Sequence, residues 1–210
     1  MTLTGSQYWY NIVLIMRTYS STEIIKTLRG ADRSFFTNSD ISRIFDIKNT
    51  NTLYKKLQRL EKRGLIEKIG RGKYIFSLNP PSEFTLANFL YSPSYVSFES
   101  ALSFYQIITG FPYTITSATV KKTKKYKLQG KKFSYTQISR NLFWGFEKRQ
   151  DFLIADREKA LIDFFYLAFK GLRQLDLSEL ELSEINLSKL KQYQSGLSNK
   201  SFSKFIKRNT

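Results

Sequence analysis

One stretch, residues 36–77, limits this chain more than any other. Thr37 and Asp40 have the T-x-x-D spacing of a capping box, in which each side chain reaches the other's backbone N–H. Ile41, Ile44, Phe45 and Ile47 then recur at helical spacing. A break at Asp46-Ile47-Lys48 is followed by Asn49 or Thr50, either of which can cap a second helix. The inner stripe of that helix is Leu53, Leu57 and Leu60, and Gly64 ends it. Residues 65–69 read as a strand, Gly70-Arg71-Gly72 as a turn, and residues 73–76 as the returning strand. Helix, turn, longer helix and two-stranded wing in that order predict a winged helix-turn-helix.

The outer face of the second helix carries Asn51, Tyr54, Lys55, Gln58, Arg59 and Lys62, with Asn49 and Thr50 at its start. Amides and long cations are the side chains that bond base edges and phosphates in a major groove. Arg71 and Lys73 fall where a wing would touch DNA backbone. The plain alternative is a solvated basic helix on a small domain.

Charge supports a polyanionic partner. The net charge is +17, from 34 basic and 17 acidic residues. Residues 1–79 hold 14 basic and 6 acidic residues, residues 80–150 hold 10 and 3, and residues 151–210 hold 10 and 8. The excess therefore sits in the first two blocks. An anionic membrane surface would need a basic amphipathic helix with exposed Trp or Leu, and no stretch offers one. No window reaches the ~18 uninterrupted apolar residues of a membrane span, and the N-terminus lacks a signal-peptide pattern. Cysteine and histidine are both absent, which removes disulfides, thiolate metal sites, the usual zinc ligands and His-dependent nucleophilic catalysis. No metal or cofactor is expected.

Asn79-Pro80-Pro81-Ser82 marks the domain junction, since two prolines remove backbone donors and disfavour helix before them. The expected domains are 1–79 and 80–210. Before the winged helix, Tyr8, Trp9, Ile12, Val13, Ile15, Met16 and Tyr19 predict a helix over residues 7–19. Ser20-Ser21-Thr22 breaks or recaps it, and Gly30 stops the continuation. These helices are expected to pack on the first core, with a dimerisation helix as the alternative.

In the second domain a short helix is expected over residues 82–91. A further helix, capped by Ser97, runs through Tyr105 with Glu99 in its first turn. Alternation predicts a strand over 113–118, a hairpin over 124–138 turning at Gln129-Gly130, and a strand over 151–155. Asp156 caps a helix to Lys170 with Leu161, Phe164, Phe165 and Ala168 inward. The leucines from Leu177 to Leu190 predict a helical tail. Phe143, Trp144, Phe146, Phe164 and Phe165 are expected in the core.

Lys121, Lys122, Lys124, Lys125 and Lys127 are five lysines in seven residues, followed by Lys131 and Lys132. They predict a second basic surface, for phosphate or for an acidic partner. The alternative is a solvated hairpin whose lysines guard a sheet edge. Asp156, Glu158, Lys159 and Asp163 invite comparison with a nuclease site, which needs carboxylates converging on a metal. Glu158 and Lys159 are adjacent on a predicted helix and diverge, so Asp156 is read as a cap, Glu158 and Lys159 as surface, and the protein as no enzyme.

Three ordered blocks stand out in the second domain. The first is Tyr95-Val96-Ser97-Phe98-Glu99-Ser100-Ala101-Leu102, and the second is residues 113–124. The third is Ala155-Asp156-Arg157-Glu158-Lys159-Ala160-Leu161-Ile162-Asp163 with Phe164 to Leu167 behind it. In this order they resemble the AbiEi-type antitoxin family of abortive-infection systems, and with the winged helix the resemblance covers roughly residues 36–170. The chain departs from the pattern in its longer N-terminal helical stretch and at Asp156-Arg157, where a proline is common. It departs again near Tyr135-Thr136, where an aromatic-His pair is common.

The resemblance implies a cytoplasmic transcriptional autorepressor that binds inverted repeats of double-stranded DNA in its own promoter. It also implies a mixed α/β C-terminal antitoxin domain, acting against a nucleotidyltransferase-like toxin encoded beside it. The α+β fold expected is thus an N-terminal winged helix-turn-helix domain followed by that antitoxin domain. A winged-helix transcription factor with a ligand-sensing second domain is the alternative.

Overall fold

The computed structural model describes residues 20–128, 130–174 and 176–209. The helix expected over residues 7–19, with Ile12 and Met16, lies outside them. The fold is mixed α+β, in two compact units, Met1–Pro81 and Ser82–Thr210. Among the described residues no helix is long and apolar enough to cross a membrane.

In the first unit, α1 (Ser21–Gly30) opens on a reciprocal capping box. The Ser20 N–H donates to Glu23 Oε2 at 2.8 Å, and the Glu23 N–H donates to Ser20 Oγ at 3.2 Å. Then come β1 (Phe35–Thr37), α2 (Asn38–Ile44) and α3 (Thr50–Lys62), followed by β2 (Ile66–Gly70) and β3 (Lys73–Phe76). The Thr37–Asp40 capping box opens α2, and Asn49 caps α3. Gly64 lies at φ +65° just past α3, a conformation that costs a glycine little. Ile24, Leu28, Phe36, Ile41, Phe45, Leu53, Leu57, Leu60, Leu65, Ile66, Tyr74 and Phe76 close into one core. Ile44 and Ile47 pack against it half-buried.

The sheet has three strands, in the order β1-β3-β2, where the sequence predicts two. The extra strand is β1, which pairs Phe35 with Ile75 and Thr37 with Lys73. Three residues are too few to show alternation, and their partner lies almost forty residues downstream.

The second unit contains α4 (Glu83–Leu90), β4 (Ser94–Val96), α5 (Glu99–Phe104), β5 (Thr114–Thr119), β6 (Lys124–Leu128), β7 (Lys131–Gln137), β8 (Phe146–Arg149) and β9 (Phe152–Ala155). After them come α6 (Arg157–Phe169), α7 (Leu187–Ser195) and α8 (Lys200–Arg208). Its six-stranded sheet runs β6-β7-β5-β4-β9-β8. β5 with β7 and β4 with β9 are parallel, and the other pairs are antiparallel. β5 is buried along most of its length on both faces, as a central strand of a covered sheet should be. The leucine-rich tail divides into a 3-10 turn at Leu177–Glu179 and the separate helices α7 and α8.

Two expectations about α5 and α6 are also corrected. Ser97 does not cap α5. Phe98 holds the cap position at φ +56° without a side-chain cap bond, and the Ser97 hydroxyl donates instead to Asp163 Oδ2 at 2.7 Å. Glu158 and Lys159 are not surface residues: they are 4% and 0% exposed. α6 packs against α5, α7, α8 and β9, so it is covered nearly all round.

Candidate nucleic-acid interface

In α3 the Asn49 carboxamide accepts the Thr52 N–H at 3.1 Å, which satisfies one of the four unpaired donors at the helix start. Leu53, Leu57 and Leu60 are locked into the core. Period 3.6 then forces the residues between them outward. Thr50, Asn51, Tyr54, Lys55, Gln58, Arg59 and Lys62 are all exposed, as is Asn49. No acidic residue interrupts this face before Glu61.

Sequence reasoning passed over two members of the same basic field. Lys56 lies with its ammonium 4.2 Å from the centroid of the Phe45 ring. Burial pushes its pKa down, and the charges of Arg63 and Arg59 push it further. Arg63 is exposed at the C-cap. Neither residue stood out because Lys56 shares its helical row with the apolar stripe and Arg63 falls past the periodic pattern.

The β2–β3 turn is built on Arg71 and Gly72, with Gly72 at φ +65°. The Asn38 N–H donates to the Gly72 carbonyl at 3.2 Å, tying this turn to the start of α2. Arg71 is exposed at the tip, and Lys73 is half-buried as the first residue of β3.

The lysine-rich segment lies in the other unit. Lys121 and Lys122 fall in the loop before β6, an edge strand of the six-stranded sheet that carries Lys124, Lys125 and Lys127. Lys131 and Lys132 open β7. Several are engaged locally. Lys121 Nζ donates to the Ser92 carbonyl and stands 5.5 Å from the Tyr91 ring centroid. Lys124 is 4.7 Å from the Tyr126 ring, and Lys131 pairs with Glu83 at 2.9 Å. Lys127 lies directly across from Lys132, a like-charge pairing that disfavours the hairpin by itself.

A buried polar cluster forms where the third block of the sequence meets the first. Lys159 Nζ pairs with Asp163 Oδ1 and donates to the Tyr95 hydroxyl at 2.9 Å. That hydroxyl donates to Asp163 Oδ2 at 2.9 Å, beside the bond from Ser97. Burial pushes the Lys159 pKa down and the Asp163 pKa up, and the charge of each partner opposes that shift. Phe146 stacks on Tyr95 at 4.6 Å, and Lys159 Nζ lies 5.1 Å from the Trp144 ring centroid. Of the aromatics expected in the core, Phe165 is buried while Phe143, Trp144, Phe146 and Phe164 are half-buried.

The other carboxylates of that block point elsewhere. Asp156 caps α6, accepts the Tyr193 hydroxyl at 2.7 Å and meets Lys189 at 3.3 Å. Glu158 meets Lys189 at 2.9 Å and accepts the Asn186 N–H at 3.0 Å. Together Asp156 and Glu158 dock α7 onto α6. Among the described residues no three His, Cys, Asp or Glu side chains converge to hold a metal ion.

In comparisons with known proteins, no family model matches the chain and no curated protein matches it.

Proposed function

We propose that the protein is a cytoplasmic DNA-binding autorepressor and the antitoxin of a toxin–antitoxin pair. In this reading its first unit acts as a winged helix-turn-helix. The outer face of α3 supports the reading most directly: exposed amides and cations, with Thr50 and Tyr54 among them, on a helix whose opposite face is fixed in a core. In the proposed complex α3 enters the major groove of operator duplex. Asn51, Lys55, Gln58 and Arg59 reach base edges, while Lys62, Arg71 and Lys73 contact phosphates. Asn49 and Thr50 bring the helix N-terminus toward the backbone, where unpaired N–H groups favour an anion.

The antitoxin part rests on the resemblance of the three sequence blocks, which fall at β4–α5, around β5 and at β9–α6. The partner is a nucleotidyltransferase-like toxin encoded beside the protein.

The test is co-expression of the full chain with its neighbouring gene, scored for growth, together with gel-shift measurements on duplex from its own promoter. Growth that depends on the chain, and sequence-specific duplex binding weakened by salt, are expected. A chain that binds its promoter but leaves growth unchanged would instead favour a ligand-sensing transcription factor. One feature a ligand could use, among the described residues, is a cleft of about 450 Å³ lined by Phe104, Glu147, Arg149, Gln150 and Phe152.

A further inference from the structure

Two aromatic rings at one end of the six-stranded sheet face solvent. Phe111 is 94% exposed and Tyr113 is 65% exposed. Both lie just before β5. Tyr113 is held in place, because its hydroxyl donates to the Gly130 carbonyl at 2.9 Å and props the ring against the β6–β7 turn. The ammonium groups of Lys131 and Lys132 lie 5.9 and 5.7 Å from its centroid.

The register extends this edge into a ridge of charge. Thr114 pairs with Lys132, and Lys132 pairs on its other side with Lys127. Lys125 is two residues back along β6, so it shares the Lys127 face about 6.6 Å away. Lys131 is neutralised by Glu83, but Lys125, Lys127 and Lys132 have no ion pair among the described residues. Residues 100–146 contain eight lysines and arginines and no Asp or Glu.

Tyr113 is flanked by two cations and Phe111 stands almost wholly in water, so the rings form no broad apolar patch, which argues against a hydrophobic protein contact. An acidic protein would satisfy the lysines and leave the rings idle. A duplex would do the same, because its base faces are stacked inside. A single strand offers phosphates and open base faces together, and each base can stack on an aromatic ring.

We propose that Phe111 and Tyr113, with Lys125, Lys127 and Lys132, form a binding site for single-stranded nucleic acid. Bases stack on the two rings, and phosphates follow the lysine ridge. The site shares no residue with the duplex reading of α3 and stands or falls separately from it.

Fluorescence anisotropy on the full chain carrying Lys55→Ala and Arg59→Ala tests the site with the α3 face weakened. The probes are oligo(U) and oligo(dT) of about 12 nucleotides, within known single-strand site sizes. A duplex of equal length and polyglutamate serve as competitors. The single strands should bind more tightly than either competitor, and the two probes reveal any preference for RNA or DNA.

Phe111→Leu with Tyr113→Leu should weaken binding about ten-fold or more while leaving the salt dependence intact. Tyr113→Phe, which keeps the ring, should bind like its parent. Lys127→Gln with Lys132→Gln should reduce the slope of log affinity against log salt by about 0.7 for each phosphate no longer neutralised. All these side chains are on the surface, and circular dichroism checks the fold of each variant. Unchanged affinity in the double-Leu variant, or tighter binding of duplex or polyglutamate, would overturn the proposal.

Discussion

Lys159 and Asp163 lie one turn apart on α6, and neither side chain reaches solvent. Taking both charges out of water is costly, and their pairing and the Tyr95 and Ser97 hydroxyls offset it, with the Trp144 ring beside the ammonium. Asp163→Leu or Lys159→Met should therefore each destabilise the second unit by about 3–5 kcal/mol, by leaving one charge buried and unpaired. Lys159→Met with Asp163→Leu should lose less than the sum of the singles, measured by urea unfolding. Strict additivity would show that the two side chains do not act as a pair. Gly145 bears on the same cluster. It sits at φ +70°, and a Cβ there would come within 2.9 Å of Lys159 Cγ. Gly145→Ala should cost about 1–3 kcal/mol through backbone strain and displacement of the lysine stem.

Asp40 gives a pH dependence at the same scale. Burial would raise its carboxyl, but the Thr37 hydroxyl and N–H, with Arg33 and Arg43, hold it below its ordinary 3.8. A depressed folded pKa makes its contribution complete above 3.8 and removes it as pH falls through the folded value. Asp40→Ala should thus be less stable than the parent at neutral pH, and the gap should narrow below pH 3.8. A gap that stays constant down to about pH 2 would remove the carboxylate's charge from the explanation.

At the scale of elements, α3 and the β2–β3 hairpin separate two kinds of contact. If Arg59 reads a base, Arg59→Ala should cost about 1–3 kcal/mol of operator affinity and relax specificity at one position. Unchanged gel-shift affinity in both Arg59→Ala and Lys55→Ala would take α3 out of the interface. Arg71 and Lys73 instead reach backbone in the proposed complex. Replacing both by Ala should weaken all duplexes alike and reduce the salt slope by about 0.9 for each phosphate left without its cation. A change of sequence preference without a change of slope would contradict that role. Folding itself does not ask for an outer α3 face of amides and cations, or for a lysine opposite a lysine in β6–β7. These features are therefore where function is most economically sought.

At the scale of the molecule, the proposed function, taken with the two compact units, predicts separable roles. A fragment of residues 82–210 contains the whole six-stranded sheet and its helices. It should protect cells from the partner toxin without repressing the promoter. Residues 1–81 should bind operator and give no protection, and as a small domain they should be only marginally stable alone. Growth rescue and a promoter reporter measure both, after circular dichroism confirms folding. Rescue by residues 1–81 alone would mean that protection comes from repression.

What the sequence determined by itself was local. The caps at Thr37 and Asp156, the α3 start narrowed to Asn49 or Thr50, and the Leu53-Leu57-Leu60 stripe need partners only three or four residues away. The outer face of α3 follows from that stripe, because a helix with one face fixed has no freedom in the other. Tertiary structure decided whatever depends on distant chain. β1 is a strand only because β3 returns beside it, and Ser97 abandons a cap because Asp163 arrives from sixty-six residues away. Glu158 and Lys159 have the composition of a surface and become interior because the start of α7 meets Glu158, while β4 and the segment at Trp144 and Gly145 close on Lys159. Phe111 has the composition of a core residue and stays in water, since the described residues of its unit leave it 94% exposed. Periodicity reports which side of an element is apolar, whereas burial depends on what the rest of the chain brings to the other sides.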